Sequence, residues 1–107
     1  MSTTPASDIN QVLAERGSRY GPFNTHAAIT QGMKSAFIIN SKSLYKMSNS
    51  QREAVDMILH KLGRIGNGDP SYIDSWVDIV GYAQLVVDEL VAAQSLKKEV
   101  TDSSGSE

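Results

Sequence analysis

The sequence predicts an all-α protein, an antiparallel helical bundle of about four helices with a long last helix and flexible termini. Three observations predict it. Apolar residues recur three and four apart between about residues 9 and 91, and no segment alternates with the period of two that a half-buried strand requires. Helix start and stop signals divide the chain into four periodic stretches. At 107 residues the chain has the size of one domain.

In the first stretch, Ser7 or Asp8 is placed to cap a short helix with Ile9, Val12 and Leu13 on one face, and Gly17 is the expected stop. The loop GSRYGPF (residues 17–23) follows, with two glycines and a proline that permit tight turns. Asn24 or Thr25 then caps a second helix to about Asn40, carrying Ile29, Met33 and Phe37 every fourth residue. Residues 40–49 are polar and irregular, apart from Leu44, Tyr45 and Met47. Ser50 and Glu53 have the spacing of a capping box at the start of a third helix, whose apolar stripe is Val55, Ile58, Leu62 and Ile65 and whose end falls near Asn67 and Gly68. Asp69 and Pro70 supply an N-cap and a first helical residue for a fourth helix reaching about Lys98. Its 29 residues would span roughly 43 Å at 1.5 Å per residue. The resulting division is an aperiodic N-terminus (1–6), a bundle domain (7–98) and a polar tail (99–107).

Composition narrows the function. No uninterrupted apolar run exceeds four residues (as at 36–39), far too short for a membrane span, and the N-terminus has no basic-then-apolar signal, so no membrane association is expected. There is no cysteine, which excludes a disulfide framework, a thiolate nucleophile and a zinc finger, and fits a reducing cytoplasm. A net charge of −2 argues against general nucleic-acid binding. The charge is divided unevenly. Residues 1–52 hold six Lys/Arg and two Asp/Glu, whereas residues 53–107 hold four and ten.

The fourth helix is apolar around most of its circumference, which predicts burial on several sides and, in a chain with few other helices, a homo-oligomer. Its acids are gathered: Asp74, Asp78 and Asp88 fall on one arc of about 80°. Asp74 and Asp78 repel at i,i+4, so a cation or basic partner should offset them. Helix three offers Glu53 and Asp56 at i,i+3, followed by His60 and Arg64. Four hard oxygen ligands on two successive helices suit Mg²⁺ or Mn²⁺, with Glu53, Asp56, Asp74 and Asp78 as the expected metal ligands. Lys61 and Arg64 would then meet phosphates, and Trp76, Tyr72 or Tyr82 would stack on a base. Plainer explanations compete. Glu53 is accounted for by its cap, Asp74 by the helix dipole, and Trp76 and the tyrosines by a core. Asp78, set among apolar neighbours in mid-helix, is the hardest to explain without a partner.

The segments EAVDMILHKLGRI (53–65), GDP (68–70) and DSWVDIVGY (74–82), with RGSRYGPF (16–23) and His26-Ala27 upstream, resemble a family of small phage and prophage proteins of unknown function over about residues 12–90. More remotely, the layout is similar to the all-α nucleoside triphosphate pyrophosphohydrolases, the MazG and dimeric dUTPase group. That resemblance implies Mg²⁺-dependent cleavage of a nucleoside triphosphate to monophosphate and pyrophosphate. Glu53 and Asp56 would correspond to part of the first metal motif, and Asp74 and Asp78 to the second. Glu53 would also orient the attacking water. Lys61 and Arg64 would hold the leaving pyrophosphate, with Arg16 or Arg19 delivered by the loop beside Tyr20. The alternative is a non-catalytic phage accessory protein, acting in the host cytoplasm, that binds a host protein or sequesters a nucleotide.

Overall fold

Four helices and a single 3₁₀ turn make up the described chain. The computed structural model describes the backbone of residues 5–105 and the side chains of residues 8–101. The helices are α1 (Pro5–Tyr20), α2 (Phe23–Asn40), α3 (Asn49–Asn67) and α4 (Ile73–Gly105), with the 3₁₀ turn at Leu44–Lys46 before α3. The all-α bundle with a long last helix is therefore observed, and no strand occurs among the described residues. No described helix is long and apolar enough to cross a membrane.

Several boundaries differ from those predicted. Helix α1 runs through Gly17, because one glycine inside a helix costs only about 1 kcal/mol. The stop comes at Gly21, whose φ of 77° carries the chain out of the helix while its N–H bonds the Gly17 carbonyl at 2.9 Å. Helix α2 starts at Phe23 with Pro22 as N-cap, earlier than Asn24 or Thr25, and the Thr25 hydroxyl donates to the Pro22 carbonyl at 2.9 Å. The capping box of α3 is Ser48 with Gln51, two residues before the expected pair, so Glu53 is not its capping carboxylate. Asp69 does not cap α4. Its carboxylate accepts from the Ser71 N–H at 2.9 Å in a turn, and α4 begins only at Ile73. Helical backbone also reaches into both stretches expected to be aperiodic ends; residues 1–4 and 106–107 of those stretches lie outside the described residues.

Helix α3 is the centre of the molecule. Ser50 Oγ donates to Glu89 Oε1 at 2.9 Å, and Lys61 Nζ lies 2.7 Å from Asp78 Oδ2. These pairs are eleven residues apart on both helices, so α3 and α4 run antiparallel. Ala54, buried on the same face, packs between them. On another side, α3 meets α2 where Gly63 lies under His26 and Thr30: a Cβ at Gly63 would collide with the Thr30 hydroxyl and the His26 ring. The missing side chain permits that close crossing.

The arrangement is open. The Cα radius of gyration is 19.9 Å, against about 13 Å for a compact chain of this length. Of the apolar side chains, Ala54 alone is buried among the described residues. The expectation that α4 is buried on several sides is not met within one chain, since α3 backs one side of it and Val77, Val80 and Val91 remain exposed.

Candidate functional site

A cleft of about 330 Å³ opens where the end of α1, the turn at residues 21–22 and the start of α2 face the C-terminal half of α3. Hydrogen bonds to three backbone carbonyls fix its rim. The Asn67 amide donates to the carbonyls of Tyr20 at 2.9 Å and Pro22 at 2.8 Å, and the Asp69 N–H donates to the Arg19 carbonyl at 2.7 Å. Gly21 and Gly68 allow this approach, because a Cβ on either would strike the opposing backbone. The sequence thus clamps the α1–α2 turn onto the end of α3 with one amide side chain and two glycines.

The cleft is lined by Leu13, Arg16, Gly17 and Tyr20 of α1, by Gly21, Pro22 and Phe23 at the turn, by His26 of α2, and by His60 and Arg64 of α3. No carboxylate lines it. The Arg64 guanidinium lies over the Tyr20 ring, 4.2 Å from its centroid. Behind that pair, Tyr20 meets the edge of Tyr72 at 5.9 Å, and Arg19 lies 4.9 Å from the Tyr72 centroid. Arg19 Nη1 donates to the Tyr72 hydroxyl and the hydroxyl to Asp74 Oδ2, both at 2.9 Å, while Arg19 Nη2 is 2.7 Å from Glu15 Oε1. The hydrogen bond to Asp74 pushes the Tyr72 phenol above its ordinary pKa. Arg19 is therefore engaged within the protein, whereas Arg16 and Arg64 have no carboxylate partner among the described residues.

Two histidines form the floor. His26 is buried, and its Nε2 is 3.0 Å from the His60 carbonyl and 3.2 Å from Thr30 Oγ1. A carbonyl can only accept, so Nε2 carries the proton. The two rings stand perpendicular at 4.6 Å. Desolvation lowers the His60 pKa from 6.5 to about 4, reinforced by the charges of Arg64, His26, Lys61 and Lys34. Arg64, Lys61 and Lys34 act on His60 as cations, and of these Lys61 is paired with Asp78.

The remaining predicted site residues lie elsewhere. Lys61, nearly buried, is held by Asp78. Asp74 is held by Tyr72. Glu53 is exposed in a separate groove with Tyr82, Leu85 and Glu89. Asp56 sits about 140° around α3 from Lys61, five residues at 100° each, and so does not share the edge that meets Asp78. Trp76 donates from Nε1 to the Pro70 carbonyl at 2.8 Å, stapling the start of α4. No group of three or more His, Asp or Glu placed to hold a metal ion occurs among the described residues. The single chain does not gather Glu53, Asp56, Asp74 and Asp78 into one crevice, because the mid-helix acid finds its cation in Lys61. Of the six expected substrate-binding residues, the structure brings Arg16, Tyr20 and Arg64 together, sets Arg19 behind them, and leaves Trp76 and Tyr82 apart.

Sequence reasoning missed His26, Asn67 and Phe23 as parts of this cleft. The available signals were indirect: a Gly-rich loop before a histidine, and an asparagine at a helix end where a second element could dock. A larger groove of about 450 Å³ between the 3₁₀ turn, α3 and α4 is lined chiefly by apolar groups, with Lys46 its only charge. It lacks the convergent polar groups that mark a small-molecule site. No protein-family model, curated protein or solved structure matches this chain.

Proposed function

We propose that the chain binds a phosphorylated nucleotide in the cleft between α1, the 21–22 turn and α3. The observation that carries this reading is the joint presence of Arg16, Arg64 and His60 in one concave site with no carboxylate in its lining. Guanidinium forks bind phosphate oxygens bidentately, and the pair here has no internal carboxylate to displace first. The exposed ring of Phe23 offers an aromatic face to a base. A volume of about 330 Å³ falls within the size range of small-molecule sites. The remote resemblance to nucleoside triphosphate pyrophosphohydrolases, read from the sequence alone, would imply the same ligand class.

The reading ends at binding. Hydrolysis of the expected kind needs a divalent ion held by Glu53, Asp56, Asp74 and Asp78, and these residues do not fit that role within one chain: Asp78 is taken by Lys61 and Asp74 by Tyr72. Isothermal titration with nucleoside triphosphates, with and without Mg²⁺, tests the proposal. Binding should weaken at least about tenfold in Arg16→Ala and in Arg64→Ala, the effect of losing one charge-assisted contact. Absence of binding, or affinities unchanged in both variants, would overturn it.

A further inference from the structure

We propose that a second copy of this chain covers the far face of α4, the two α4 helices lying parallel along a seam of about three heptads. The side of α4 that meets α3 carries Ser75, Ile79, Tyr82 and Val86, which are buried or half-buried. On the opposite side, Ile73, Val77, Val80, Gln84, Val87 and Val91 follow one another at alternating intervals of four and three. That is the spacing of a two-helix seam, in which every member faces the same partner. Ile73, Val77, Val80, Val87 and Val91 are 71%, 57%, 66%, 48% and 56% exposed. Helices α1 and α2 pack against α3 from other sides and leave this stripe uncovered.

The area fits a dimer. The chain presents 7977 Å² of accessible surface, whereas a compact monomer of 11.6 kDa presents about 5,800 Å². The excess belongs to the whole open chain, and it leaves room for the roughly 800 Å² that each partner buries in a standard interface. Being one stripe on one helix, the surface is also self-complementary, as a twofold interface requires.

Gln84 and the flanking charges set the direction. In a parallel pair, Gln84 meets the partner's Gln84, so each amide, which already donates to Asp88 of its own helix at 2.7 Å, gains a second partner across the seam. With the same stripe antiparallel, each Gln84 falls against the partner's Val80 and keeps only Asp88 of its own helix as partner. One edge of the stripe is acidic, with Asp74 and Asp88, and the other is neutral, with Trp76 and Leu90. Parallel pairing sets acidic edge against neutral edge. Antiparallel pairing brings Asp74 beside the partner's Asp88.

Sedimentation equilibrium of the full chain should give twice the chain mass of 11.6 kDa, and Val80→Glu, with helical circular dichroism retained, should give the single mass. Because the chain has no cysteine, Ile73→Cys supplies a unique thiol in the exposed first turn of α4, and it should form an intermolecular disulfide on mild oxidation. The proposal is overturned by a single-chain mass for the unaltered protein, or by a folded Val80→Glu variant that remains dimeric. It is equally overturned if Ile73→Cys fails to cross-link with itself while a mixture with Val91→Cys yields the mixed disulfide, the antiparallel result.

Discussion

The ammonium of Lys61 lies 2.7 Å from the Asp78 carboxylate, and the two side chains are unequally shielded: Lys61 is 12% exposed and Asp78 45%. This pair ties the C-terminal half of α3 to the second turn of α4 and offsets the cost of an acid among apolar neighbours. Because the cation is the more buried member, removing either partner should not have the same effect.

Asp78→Asn leaves a desolvated ammonium with no counter-charge, while Lys61→Met leaves a carboxylate that water reaches. We predict that Asp78→Asn costs about 1–2 kcal/mol in urea denaturation and that Lys61→Met costs less than half as much. Equal losses would mean that the pair is screened like a surface ion pair.

At Gly63, α2 and α3 approach closely. Gly63→Ala places a methyl into the Thr30 hydroxyl and the His26 ring. Overpacking should outweigh the gain in helix propensity, with a net loss of about 1–3 kcal/mol and a lowered melting temperature. The same substitution at Gly66, which has nothing within 4 Å, should be neutral or mildly stabilising.

His60 makes stability depend on pH with a defined sign. Its pKa is lowered from 6.5 to about 4 in the folded protein, so between those values the unfolded chain binds a proton that the folded chain does not. Its contribution is therefore fully present above pH 6.5, is lost as pH falls from 6.5 toward 4, and changes little below that. With His60 only partly shielded from solvent, the loss should be about 1–2 kcal/mol. Urea midpoints measured from pH 7 to 4 should fall by less in His60→Gln than in the unaltered chain. Proton NMR should also show the His60 pKa rising when a nucleotide occupies the cleft, because the phosphates reverse the local field.

The fold was legible where local chemistry decides it. Four periodic stretches and the length of α4 follow from apolar spacing, and the glycine-rich loop marks the turn expected to bring Arg16 or Arg19 toward Lys61 and Arg64. Boundaries shifted by a few residues where equivalent signals compete. Ser48 and Ser50 both precede a residue able to complete a capping box, and Gly17 and Gly21 are both able to end α1, but only Gly21 adopts a left-handed φ. The acid crevice was misleading for a physical reason. Spacing along one helix fixes angles about that helix's own axis, but not which face turns toward a neighbour. Lys61 and Ser50 took the edge of α3 that meets α4, and this left Asp56 on another side. His26 and Asn67 were illegible because their partners, the carbonyls of His60, Tyr20 and Pro22, are more than thirty residues away or belong to backbone.

Backbone chemical-shift mapping during titration of the full chain with a nucleoside triphosphate tests the central claim most directly. The account predicts shifts concentrated at residues 16–23, at His26 and at residues 60–64. Shifts concentrated instead at Glu53, Asp56, Asp74 and Asp78, or none at saturating nucleotide, would contradict it.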